Sequence, residues 1–203
     1  MQLVVLGLNH KTVSVDIREQ FAISEESARS GLRHLDEQEG IEEAVVLSTC
    51  NRTEIYAVLK NGAARKTLYQ FFLALSGNSE AKKEYFFYFE GEACIRHLFE
   101  VASGLDSMVI GESQILNQIK TAYTMALSEK ATKTILNTLF HRAITTGKRV
   151  RTETRISYSA VSVSYAAVKL AEKILGGLDD RTAMVFGAGE AAELLVKNLM
   201  GKG

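Results

Sequence analysis

A chain of 203 residues with 46% apolar composition is long enough for one substantial core, or for one domain and part of another. Lys plus Arg equals Asp plus Glu at 24 each, so no global field holds a polyanion and any nucleic-acid surface has to be local. Two cysteines exclude a disulfide scaffold, and the N-terminus carries neither a signal-peptide pattern nor a long apolar span, so a reducing cytoplasm and no membrane contact are expected.

Residues 3–8 read as a buried strand opening into the polar loop Asn9-His10-Lys11-Thr12. Ser24 followed by Glu25 and Glu26 marks a helix start, with acids at the positive end of the dipole, and Gly40 closes the region. Residues 44–47 continue as a strand, giving a β-loop-α-β unit. Residues 53–59 alternate Ile55, Ala57 and Leu59 against Glu54, Tyr56 and Val58, the period of a half-buried strand. Residues 63–75 suit a helix, and the aromatic run 85–89 suits a strand or a turn against the core.

From Glu92 helices take over. Ile95, Leu98, Phe99 and Ala102 form one apolar stripe, with His97 off it. Gly104-Leu105-Asp106-Ser107 breaks the pattern and Gly111 precedes a helix whose Ile115, Ile119, Ala122 and Ala126 share one side, with Gln114 and Gln118 on another. Further helices are predicted over 134–151 and 160–175, the latter ending at Gly176-Gly177. Residues 182–186 read as a short strand leading into Gly187-Ala188-Gly189-Glu190-Ala191-Ala192 and a last helix.

Cys50 lies between two strand-like segments and is the best candidate nucleophile. An unperturbed thiol, with a pKa of about 8.5, is already a few per cent thiolate near neutrality. Packing as a small hydrophobe is the alternative. Arg52, two residues on, favours a thiolate or grips a carboxylate in bidentate fashion. His97 is either a general acid or base or a solvated surface histidine, and His10 shares that ambiguity. Gly187-x-Gly189-x-x-Ala192, between a strand and a helix, has the setting of a dinucleotide fingerprint. The residue that would read the ribose, about 20 positions later, lies past Gly203. Arg142, Lys148, Arg149, Arg151 and Arg155 concentrate charge, with 148, 151 and 155 on one helical face; a solvated face and a phosphate contact are the two readings. Neither cysteine belongs to a CxxC pair and the histidines lack zinc spacing, so no metal site is expected.

Four segments in order, GLNHKTVSVDIREQFAI at 7–23, LSTCNRTEIY at 47–56, HLFEVASGLDSMVIGESQILNQIKTAY at 97–123 and VFGAGEAAELL at 185–195, resemble glutamyl-tRNA reductase. That resemblance implies NADPH-dependent reduction of glutamyl-tRNA(Glu) to glutamate-1-semialdehyde with release of tRNA, through a cysteine thioester, as the first step of tetrapyrrole synthesis. Carried over, Cys50 is the nucleophile and His97 the histidine important for activity. Thr49, Asn51, Arg52, Ser107, Glu112, Gln114 and Gln118 hold the substrate, with Arg52 on the glutamyl carboxylate, and residues 187–192 hold the NADPH phosphates. Glu112-Ser113-Gln114 departs from the family's usual Glu-Pro-Gln, a change at a helix start that should spare its neighbours.

The expected architecture is an α+β catalytic domain over 1–155, built of β-α-β units with a helical second half. A connecting helix and linker follow over 156–180, then the first strand and helix of a truncated α/β Rossmann domain over 181–203. The resemblance marks the chain as an N-terminal fragment, itself expected to lack reductase activity, of an enzyme that dimerises through a C-terminal domain. A downstream aminomutase and regulatory proteins are candidate partners. The alternatives are an NAD(P)-dependent dehydrogenase of a small metabolite and a non-catalytic module binding RNA or a regulator.

Overall fold

The computed structural model describes residues 1–79, 81–112, 114–154, 156 and 163–201. Strand β1 (Gln2–Asn9) is followed by two short helices, α1 (Val15–Gln20) and α2 (Glu25–Arg33). Ser24 caps α2 as expected, its Oγ accepting from Ser27 N at 3.1 Å. Gly40, at φ +84°, turns the chain into β2 (Ile41–Ser48), which a tight connection joins to β3 (Arg52–Leu59). Helix α3 (Ala64–Leu75) and a 3₁₀ turn then lead to β4 (Phe87–Glu90), so the aromatic run is part turn and part strand.

The sheet order is β2-β3-β1-β4, with every neighbouring pair antiparallel. β1 and β2 therefore run parallel with β3 inserted between them, and the whole is the split β-α-β-β-α-β arrangement of ferredoxin-like sheets. The helical half follows: α4 (Gly91–Ser103), α5 (Gln114–Ser128) and α6 (Thr134–Thr154).

β3 is not half-buried: all eight of its residues are buried, because α3 covers one face while α4 and α6 cover the face that carries Glu54 and Tyr56. The inward stripe of α4 is also different. Cys94, His97, Leu98, Val101 and Ala102 are buried, whereas Ile95 is 39% exposed. Positions 94, 97, 98 and 101 fit the helical period as well as the expected set does. The choice between the two is made by a polar partner on β3.

α4 and α6 cross closely at Gly147, where a Cβ would sit 2.5 Å from Ala102 O. The last helices are α7 (Val163–Leu175) and α8 (Glu190–Met200). The predicted start of the former at 160 lies outside the described residues. Residues 182–186, expected as a strand, pair with no strand among the described residues, and Met184 and Phe186 stand 78% and 89% exposed. A strand needs a neighbour to take up its N–H and C=O groups, and none is supplied among the described residues. No helix among the described residues is long and apolar enough to cross a membrane.

Candidate active site

The turn between β2 and β3 presents Cys50. Thr49 organises it: its N–H donates to Arg52 O at 2.8 Å, and its Oγ1 accepts from the N–H groups of Asn51 and Arg52, each at 3.2 Å. Cys50 is exposed at the tip. The β1–α1 segment pins the same turn from a second direction. His10 N donates to Asn51 O at 3.1 Å, and Arg18 donates through Nε to Cys50 O at 3.2 Å and through Nη1 to Val13 O at 3.0 Å.

Beside the turn lies a buried charge cluster. Arg52, 1% exposed, donates through Nη1 to Glu54 Oε1 at 2.7 Å and to Asp106 Oδ2 at 3.0 Å, and through Nη2 to Asp106 O. Glu54, fully buried, also accepts from His97 Nε2 at 3.1 Å and from Tyr56 Oη at 2.7 Å. Lys11 pairs with Asp106 from the solvent side.

Burial opposes ionisation of Glu54, but the Arg52 guanidinium, then His97 and Tyr56, outweigh it and hold the carboxyl at about 2. Burial works against the charge of Arg52 as well, and Glu54 and Asp106 reverse that effect and raise its pKa. Asp106 follows the same logic: burial raises it, and the hydrogen bonds from Lys11 and Arg52 bring it below its ordinary value. The Tyr56 hydroxyl is pushed well up by burial and then by Glu54, so it stays a donor. With Glu54 an acceptor only, the proton on His97 Nε2 is fixed toward it. His10 is lowered first by burial and then by Arg52.

His97 is therefore not the solvated or off-face residue of the sequence reading. It is 7% exposed and its ring packs 5.0 Å from Phe87 and 5.3 Å from Phe89. Arg52 also differs from expectation, since both Nη atoms are committed internally. Three buried polar atoms near this cluster have no hydrogen-bond partner among the described residues: Arg52 Nε, Ser107 Oγ and His10 Nδ1.

Of the expected site residues, His97, Gln114 and Gln118 line two cavities and Thr49, Cys50 and Asn51 form the turn, whereas Arg52 and Ser107 are buried and line neither cavity. A cavity of about 390 Å³ is lined by Asn9, Lys11, His97 and Asp106. Another, of about 340 Å³, is lined by Ser48, Gln114, Asn117 and Gln118 between α2 and α5. Thr49, Cys50 and Asn51 form the turn that follows Ser48. Glu112 lines neither cavity; its carbonyl accepts from Arg151 Nη2 at 3.0 Å. Ser113 lies outside the described residues.

Glu54, Asp106, Lys11 and Arg18 escaped the sequence reading. The alternation of β3 places Glu54 on an open strand face, and the glycine break after α4 accounts for Asp106 as a loop residue. The available signal was Arg52-x-Glu54-x-Tyr56, three polar side chains on one face of an otherwise apolar strand.

At the glycine turn, Gly187 has φ +113° and Gly189 precedes the first residue of α8; a Cβ on either would meet nothing within 4 Å. Open backbone at a helix start fits the pyrophosphate end of a dinucleotide. The basic stretch is not a uniform charged face. Arg149 pairs with Glu153 at 3.1 Å, and Arg151 turns inward to the carbonyls of Ala102, Gly147 and Glu112, where burial lowers its pKa. Arg155 lies outside the described residues. No group of three His, Cys, Asp or Glu among the described residues converges as metal ligands.

The family of glutamyl-tRNAGlu reductase N-terminal domains matches residues 6–154. The chain is 51% identical over 205 residues to a glutamyl-tRNA reductase of Geobacter metallireducens and 47% identical over 205 residues to one of Heliobacterium mobile; these alignments cover 100% of this chain and 47% and 46% of those proteins. The solved glutamyl-tRNA reductase of Methanopyrus kandleri superposes with a TM-score of 0.71 at 38% identity, covering 99% of this chain and 47% of that one. The chain thus spans about half the length of the relatives it matches.

Proposed function

Because the chain belongs to the glutamyl-tRNA reductase family, we propose that it forms the Cys50-bearing half of an enzyme reducing glutamyl-tRNA(Glu) to glutamate-1-semialdehyde, at the entry to tetrapyrrole synthesis. Cys50 Sγ bonds to the carbonyl carbon of the glutamyl ester. The bond from that carbon to the terminal ribose oxygen breaks, and the tRNA leaves as an alcohol with the proton the thiol gives up. Covalent capture as a thioester divides one difficult displacement into two easier steps.

The observation that carries this reading is an exposed thiol on a turn held by Arg18 and His10, beside a buried cluster in which Arg52 Nε and Ser107 Oγ have no partner among the described residues. Those donors suit the glutamyl carboxylate, and the two committed Nη atoms keep the guanidinium in place for it. His97 acts through Glu54 as a positioning residue in this arrangement. Gln114 and Gln118 line the cavity that borders the end of β2, just before the Cys50 turn, and suit the nucleotide-bearing side of the ester. Residues 187–192 would hold the phosphates of NADPH, which would supply the hydride. The same reading carries a homodimeric, cytoplasmic enzyme, a setting that keeps the thiol reduced.

The test is labelling of this 203-residue chain with tRNA(Glu) charged with radioactive glutamate, followed by acid quenching. Protein-bound label that hydroxylamine releases, and that Cys50→Ser removes, is expected. Label at the wild-type level on Cys50→Ser would sink the assignment.

A further inference from the structure

On the sheet face away from His97 lies a cavity of about 460 Å³ between α3, β4 and the 3₁₀ turn before it. Arg65, Lys66 and Lys83 line it, together with the rings of Tyr69, Phe86 and Tyr88. None of its lining residues is acidic, and these three cations enter no ion pair among the described residues. The Arg65 guanidinium carbon stands 3.8 Å from the Tyr88 ring centroid, a stacking distance. Tyr69 is fixed by its hydroxyl, which donates to Ala81 O at 2.9 Å, and by an edge-on contact with Phe86 at 5.4 Å. The Tyr88 hydroxyl, pushed up to about 12 by burial and then by Glu90, stays neutral, and the Glu90 carboxylate beside it is not among the lining residues.

Three unshared cations select an anion, and the apolar, aromatic floor selects a planar ring attached to it. A bare inorganic anion would leave the rings unused, and an apolar ligand would leave the cations unused. A guanidinium stacked on a ring offers its other face to a base. The cavity also falls in the size range of small-ligand sites. We propose that this cavity binds a nucleotide, its base stacked on the Arg65–Tyr88 pair and its phosphate held by Lys66 and Lys83. None of these residues belongs to the Cys50 cluster, so the site stands apart from the thioester reading. The nucleotide is either free or one unit of an RNA strand.

Calorimetric titration of the 203-residue chain with adenosine 5′-monophosphate tests it. Saturable 1:1 binding is expected, about tenfold or more weaker for adenosine or inorganic phosphate alone, and falling as salt rises. The exposed double substitution Lys66→Glu, Lys83→Glu should reduce affinity about tenfold or more without shifting the thermal midpoint, and Arg65→Gln should weaken base stacking similarly. Absence of saturable binding, binding unchanged in the double variant, or phosphate binding as well as the nucleotide would each overturn the proposal. A single-stranded adenylate pentamer binding more tightly than the mononucleotide, with a steeper salt dependence, identifies an RNA strand as the source; equal affinity identifies the free nucleotide.

Discussion

Gly7 and Glu54 face one another across the β1–β3 ladder, and the missing side chain of the first admits the carboxylate of the second to the interior. A Cβ on residue 7 would lie 2.8 Å from Glu54 Cγ and 3.0 Å from Phe87 Cζ. Glycine inside a strand ordinarily weakens it. Here it makes room for the acid that binds Arg52, His97 and Tyr56 together.

Gly7→Ala should therefore overpack the cluster and lower stability by about 1–3 kcal/mol. Guanidinium titration should show a lower midpoint with an unchanged slope. A midpoint equal to wild type would mean that Glu54 has another place to go.

The depressed Glu54 pKa makes stability fall in acid. Its ordinary value of 4.5 drops to about 2 on folding, so its contribution is complete above 4.5 and is lost as pH falls from there toward 2. The size is roughly 3 kcal/mol, and the lowered Asp106 acts in the same direction. Glu54→Gln should be less stable at pH 7 by about 3–5 kcal/mol, because Arg52 loses a buried counter-charge. The gap between variant and wild type should narrow as pH falls from 4.5 to 2, as read from denaturant midpoints.

The two thiols should separate cleanly in alkylation. Cys50 is exposed, while Cys94 is fully buried and pushed up to about 12 by burial and then by Glu54. Iodoacetamide on the native chain should add one group, at Cys50, and a second only in denaturant, by mass spectrometry. Modification of Cys94 under native conditions would contradict this packing.

Arg18 holds the carbonyls of Cys50 and Val13 together. Arg18→Ala should slow glutamyl labelling of Cys50 about tenfold or more, since misplacing a reacting group is costly in rate. Thermal stability should change little because the side chain is near the surface. Equal labelling rates in variant and wild type would remove Arg18 from a positioning role.

Arg151 bridges three carbonyls of α4, α6 and the segment before α5. Arg151→Met should destabilise by about 1–3 kcal/mol by leaving acceptors unpaired. If Arg151 instead serves a nucleic-acid surface, stability is unchanged and only the salt dependence of RNA binding shifts.

Features set by neighbouring residues are legible without the fold. The Ser24 cap, the turn at Gly40, the helices that follow Glu92 and the Thr49-Cys50-Asn51 turn all follow from residues a few positions apart. Four segments taken in order, at 7–23, 47–56, 97–123 and 185–195, also point to the family, which the comparisons bear out. Which polar groups lie inside depends on contacts between distant parts of the chain. His97 meets Glu54 from 43 positions away, Arg52 meets Asp106 from 54, and Arg151 meets Ala102 from 49. A helix or strand period states that one face is buried, but burying a charged or polar side chain is favourable only where a partner waits. That partner is set by the order of β2-β3-β1-β4 and the crossing of α4 with α6, and no local window contains either.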